Sequence, residues 1–126
     1  MIAKCVEDLQ VCQKALSAAD AISAILRRPT FQNDRELKGQ LGESSSRVPS
    51  HISEGFEQKS DRHFAHYLYI ARGSAKETKT HLRIAKGRGH VSGDDTDSLC
   101  ARYDEIGKML TGLIQHLERE DRKHRW

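Results

Sequence analysis

From Phe64 to Lys86 the chain repeats apolar or small residues in steps of four and three. Phe64, Leu68, Ala71, Ala75, Thr78, Leu82 and Ala85 fall into this register. That spacing marks one side of a helix packed in a bundle, because residues three and four apart lie on the same face. Arg72, Lys76, Lys79, Arg83 and Lys86 follow the same step one position later. They form a second ridge beside the first. One helix is thus expected to pack inward and to present a row of cations.

The same period extends over most of the chain. β-branched alternation is absent, and the prolines are only two, Pro29 and Pro49. Four helices are expected, at about 6–28, 34–57, 61–87 and 94–120. In the first, Leu9, Cys12, Leu16, Ala19 and Leu26 make the expected core stripe, and Pro29 closes the helix. Val11, Ala15, Ala18, Ile22 and Ile25 lie off that stripe and are also apolar. This is more apolar surface than one bundle helix needs, and it reads as a subunit interface or, alternatively, as a wide core-facing stripe.

In the second helix, Leu37, Leu41, Val48, Ile52 and Phe56 keep the step, and Asp34 is the candidate N-cap. Pro49 interrupts the backbone ladder. Ser44, Ser45 and Ser46 lie one turn upstream, where hydroxyls are expected to satisfy the freed carbonyls of a kinked but continuous helix. Gly55 is read as part of the exit. Ser60 or Asp61 caps the third helix and Gly87-Arg88-Gly89 ends it. Leu99, Tyr103, Ile106, Leu110, Leu113 and Leu117 make the stripe of the fourth. Four amphipathic helices with short connections imply an all-α, antiparallel up-down-up-down four-helix bundle of left-handed packing, in one domain spanning 1–126.

Charge is unevenly placed. Residues 1–63 carry nine Lys/Arg and nine Asp/Glu; residues 64–126 carry twelve against nine. Between Arg72 and Arg88 there are six cations, and only Glu77 opposes them. Such a local density suits a polyanion, with Lys76, Lys79, Arg83, Lys86 and Arg88 as candidate phosphate contacts. The alternative is a solvated face, or one paired to a neighbouring helix or subunit. Arg72 has a structural alternative, a partly buried ion pair with Glu54 across the second and third helices.

Other chemistries find little support. His63 and His66 share a face and His51 lies across from them, but no Cys–His spacing or third ligand completes a metal site. Ser50, His51 and Glu54 are close in sequence, yet nothing orients them as a nucleophile set or builds an oxyanion hole. Gly87-x-Gly89 follows a helix rather than preceding one, so it is no phosphate loop. Three cysteines, Cys5, Cys12 and Cys100, are an odd count. Seven residues of helix rise about 10 Å, which separates Cys5 from Cys12 beyond disulfide reach. No catalytic residue, cofactor, metal or small-molecule substrate is expected. No apolar run approaches a membrane span, and no signal-peptide block opens the chain, so the expected address is the cytoplasm.

Leu68-Tyr69-Ile70-Ala71-Arg72-Gly73-Ser74-Ala75-x-Glu77 resembles the signature of a bacterial four-helix-bundle family, the S23 or 23S rRNA intervening-sequence proteins. So do Val48-Pro49-Ser50-x-Ile52-Ser53-Glu54-Gly55-Phe56, the opening Glu7-Asp8-Leu9-x-Val11-x-Gln13-Lys14-Ala15, and Lys108-Met109-Leu110. The resemblance implies a bundle that assembles as a ring-shaped pentamer. It also implies kinship with accessory proteins of retroelement reverse transcriptases, which bind nucleic acid. The chain departs from the pattern at Cys12, where the family has Trp, and at Ser50-His51, where it has Ala-Asn. At Leu41-Gly42-Glu43-Ser44 the family commonly reads Leu-Arg-Arg-Ala. A basic patch on the second helix is therefore missing, and the ridge on the third carries the argument. The sequence thus predicts a non-catalytic homo-oligomer that binds RNA or DNA through the third helix. The alternative is a protein–protein assembly scaffold.

Overall fold

The computed structural model describes Val6 and residues 9–124. The first helix, expected from about residue 6, begins only after Leu9, whose backbone is extended; residues 7 and 8 and the positions of Cys5 and Trp126 lie outside those described. Four helices run in chain order: α1 (Gln10–Leu26), α2 (Arg35–Phe56), α3 (Asp61–Gly87) and α4 (Gly93–Lys123). A 3-10 turn, Pro29–Asn33, joins α1 to α2. No strand occurs among the described residues. The fold is a four-helix bundle, as the period predicts.

Three of the four helix starts carry a side-chain cap; α1, which begins after Leu9, has none. Asp34, Ser60 and Ser92 accept from the backbone N–H three residues on, at Leu37, His63 and Asp95. Each bond satisfies a donor that the first helical turn leaves free. Asp94 and Asp95 in the first turn of α4 add charge of the sign the helix dipole favours. α3 stops in a Schellman arrangement. Gly89 has φ +81°, its N–H bonds the Lys86 carbonyl at 3.0 Å, and the His90 N–H bonds the Ala85 carbonyl at 2.9 Å. Glycine tolerates that left-handed backbone without a Cβ clash.

The core runs the length of the bundle. Leu37, Leu41, Val48 and Ile52 of α2 meet Leu68 and Leu82 of α3 and Tyr103, Ile106, Leu110 and Ile114 of α4, all essentially without solvent exposure. A polar pair sits inside it. Thr78 Oγ1 donates to the Ser74 carbonyl at 2.8 Å and pairs with Ser44 Oγ at 3.0 Å, joining α2 to α3.

Two expectations are corrected. On α1 the buried residues are Val11, Cys12, Ala15, Ala18, Ile22, Ile25 and Leu26. The five assigned to a subunit interface, Val11, Ala15, Ala18, Ile22 and Ile25, therefore line the chain's own core. Leu16, read as core, is 47% exposed. The true stripe is turned by one residue, because Ala15 and Ala18 let α1 approach closely where a leucine stripe would hold it off. α2 is continuous through Pro49 as expected, but the serines act otherwise. Ser44, Ser45 and Ser46 bond back to the carbonyls of Leu41, Gly42 and Glu43. None of these is the carbonyl four residues before Pro49.

One end of the bundle is tied by Asp34. Its carboxylate accepts from Arg88 Nη1 at 3.1 and 3.3 Å and from His90 Nε2 at 2.8 Å, besides capping α2. The His90 ring stacks on Phe31 with centroids 4.5 Å apart. The hydrogen bond from His90, with further help from Arg88, holds the Asp34 carboxyl below its ordinary range. A carboxylate with a depressed folded pKa stabilises the fold above its unfolded pKa, about 3.9, and loses that contribution as pH falls through the folded value. The melting temperature should therefore fall on acidification from roughly pH 5 to pH 2, and Asp34→Asn should fall less steeply while melting lower at neutral pH. Parallel acid limbs for the two proteins in thermal melts would remove Asp34 from this role.

Candidate nucleic-acid interface

The cations of α3 point along the seam it shares with α4. Early α3 lies beside late α4 and late α3 beside early α4, so the two helices run in opposite directions. The ridge residues follow the buried stripe by one position and so stand at the edge of the interface, not on the far side of the helix.

They are not equivalent. Lys76, Arg83 and Lys86 are exposed, and among the described residues no carboxylate lies within ion-pair distance of them. Lys79 is mostly covered and pairs with Asp104 of α4. That hydrogen bond is the main reason the Asp104 carboxyl sits below its ordinary range. Arg88 belongs to the Asp34 cluster. Glu77, the one acid within the ridge stretch, turns to the other side of α3. It meets His81 at 3.3 Å and Arg47 of α2 at 3.9 Å, and so leaves the ridge uncompensated.

The proposed Glu54–Arg72 pair does not form. Arg72 Nη1 donates to Thr111 Oγ1 of α4 at 3.1 Å, and its guanidinium lies 4.9 Å from the centre of the Tyr69 ring. Glu54 stays on α2, 3.5 Å from His51 Nδ1. Arg72 shares the ridge's phase, and that phase faces α4, whereas α2 packs against the Leu68–Ala75–Thr78 side.

A cavity of about 480 Å³ opens in the middle of the seam. Arg72, Lys76 and Lys79 line it from α3, and Lys108 lines it from α4. Asp104 is its sole acid and is already paired to Lys79. Gly107 and Gly112 form part of the α4 wall, and the missing side chains keep that wall low. Sequence reasoning did not place Lys108 in the site. The four-residue step Asp104–Lys108–Gly112 carried the signal, since it puts these residues on one face of α4.

Above this cavity, Arg83 and Lys86 flank Asp97 and Cys100. Burial pushes the Cys100 thiol up, against the opposing pull of Arg83 and Lys79, so it is held in the thiol form rather than as a nucleophile. Below it, a cavity of about 330 Å³ is lined by Arg62, His66, Tyr69, Glu118, Asp121 and Arg122. Tyr69 donates to Glu118 Oε1 at 3.1 Å, which raises the phenol's pKa. Ser50, His51 and Glu54, weighed above as a catalytic set, lie on α2 and are not among the residues lining any of these three cavities.

The family model described as "23S rRNA-intervening sequence protein" matches residues 7–112. The chain belongs to that family. The match takes in all of α3 and the α4 residues of the central cavity up to Gly112; the α4 residues of the lower cavity, Glu118 to Arg122, lie beyond it. A solved structure of similar shape is a protein with unknown function from the S23 ribosomal protein family of Bacteroides thetaiotaomicron. It is 24% identical and covers 82% of this chain and 97% of its own, with a TM-score of 0.75. That likeness supports the bundle. Among curated proteins, none matches this chain. Among the described residues, no helix is long and apolar enough to cross a membrane.

Proposed function

We propose that the α3–α4 seam binds RNA or DNA and that the protein acts without catalysis, as an accessory factor in the cytoplasm. The observation that carries this is the line of Lys76, Arg83 and Lys86, exposed and outside ion-pair distance of any described carboxylate, with Lys108 facing Lys76 across the central cavity. A solvated charge row is normally laced with acids. Here Asp104 is engaged by Lys79 and Glu77 by α2, which leaves Asp97, in the recess of Arg83 and Lys86, as the one acid beside the row, beyond ion-pair distance of both. Four cations contacting phosphates would give a slope of log K against log salt of about −3.

The test replaces Lys76, Arg83 and Lys86 together by glutamate. Affinity for mixed-sequence RNA should fall by more than tenfold at roughly 50 mM salt, and the salt slope should flatten. The melting temperature should stay near wild type, because none of the three holds an ion pair. Lys59→Glu, in the turn before α3, should leave binding unchanged. Unaltered affinity in the triple variant would transfer the role to the rival reading, a protein scaffold. That reading draws on the exposed apolar residues Leu16, Ile70 and Ile84. Self-association as a homo-oligomeric, pentameric ring belongs to the same proposal. Its patches must lie outside the α1 residues now found in the core, and sedimentation at micromolar concentration tests it.

A further inference from the structure

We infer that the seam takes single-stranded nucleic acid, with one unpaired base stacked at Tyr69. This rests on the nucleic-acid reading above and deepens it. Tyr69 is 43% exposed, yet it is fixed at two points. Its hydroxyl is held by Glu118 of α4 at 3.1 Å, and the Arg72 guanidinium lies over the ring at 4.9 Å. Arg72 is fixed in turn by Thr111. An exposed tyrosine ordinarily moves among rotamers. Here the ordering is done before any ligand arrives, which lowers the cost of stacking.

Charge divides the seam into two kinds of site. In the lower cavity Arg62 and Arg122 stand against Glu118 and Asp121, so its lining is nearly neutral, with the Arg72 guanidinium over the Tyr69 ring as the one further cation at its edge. In the central cavity Arg72, Lys76, Lys79 and Lys108 stand against Asp104 alone. A phosphate gains little in the first and much in the second; an uncharged base ring is suited to the reverse. From Tyr69 to Lys86 α3 rises about 25 Å, so a strand entering at the aromatic ring can run its backbone past Lys76, Arg83 and Lys86. Bases within a duplex are stacked on one another and cannot reach a side chain at the helix surface, whereas an unpaired base can. An acidic peptide would match the cations but has no use for the Tyr69–Arg72 platform.

The experiment uses oligonucleotides of about ten residues, RNA and DNA, carrying 2-aminopurine, whose fluorescence is quenched on stacking, and duplexes of the same length. With wild-type protein, single strands should be quenched and should bind more tightly than duplexes. Tyr69→Ala should weaken single-strand binding by about 5- to 100-fold and abolish quenching, with duplex affinity unmoved. Tyr69→Phe keeps the ring and should retain quenching. Both variants should melt near wild type, since the ring is not in the core. Single-strand binding that is lost on reversing Lys76, Arg83 and Lys86 but unaffected by Tyr69→Ala would overturn this inference and leave the broader reading standing. Equal affinity for duplexes, or equally effective competition by poly-glutamate, would also overturn it. No binding of any nucleic acid by the wild type would overturn both.

Discussion

Replacing Gly55 by alanine is expected to lower the stability of the fold, whereas the same replacement at Gly73 is expected to raise it. Both glycines are helical, so both substitutions gain up to about 1 kcal/mol of helix propensity. At Gly73 nothing lies within 4 Å of the new Cβ, and that gain stands alone. At Gly55 the new Cβ would lie 2.9 Å from Phe64 Cδ1, 2.9 Å from Tyr67 Cβ and 3.2 Å from the Phe64 carbonyl oxygen. Carbon atoms in good contact sit about 3.5–4.0 Å apart. The phenylalanine ring can swing aside, but the other two atoms are fixed to the α3 backbone. Relief therefore requires prising the start of α3 from the end of α2. Overpacking of this kind costs about 1–3 kcal/mol, which exceeds the propensity gain. Urea titrations should show the midpoint moving down for Gly55→Ala and up for Gly73→Ala, with m unchanged in both. A midpoint at or above wild type for Gly55→Ala would mean that the two helices do not meet this closely.

That contrast shows what a sequence does and does not carry. Gly55 reads as the end of a helix, because glycine so often stops one. Its actual role, admitting α3 at close range from inside α2, depends on a neighbour that only the fold supplies. α3 itself was legible to within about a residue at both ends, since its stripe, a cap at Ser60 or Asp61 and its glycine stop all agree; the structure chooses Ser60. α1 was legible at its end, near Pro29, but neither in its start nor in its phase. Two apolar stripes one residue apart both satisfy the period there, and choosing by side-chain size selected Leu16 over Ala15. The cation ridge was legible as a line, because phase is local. Which of its members are free was not, because Lys79 meets Asp104 and Arg88 meets Asp34 across long stretches of chain. Lys108 and the Tyr69–Glu118 bond were hidden for the same reason: each needs the register of α3 against α4.

Phe31 was hidden by its address. It lies between helices, in the Pro29–Asn33 turn, where no periodic stripe reaches. Even so it has no solvent exposure, and its ring supports His90, which bonds Asp34. Phe31→Ala should therefore behave as a core truncation and not as a loop change, costing about 3–5 kcal/mol. Set against a total stability of about 5–15 kcal/mol, that is among the largest single losses available to this chain. Phe31→Leu refills much of the space and should recover more than half of it. The pair also separates two ways of holding this end together. If packing dominates, Phe31→Ala should destabilise equally at pH 7 and in acid strong enough to protonate the Asp34 carboxylate. If the ring acts mainly by positioning His90 for Asp34, the cost of Phe31→Ala should shrink in acid along with the carboxylate it serves. Urea unfolding at the two pH values distinguishes these, and a cost below about 1 kcal/mol at both would place Phe31 outside the core altogether.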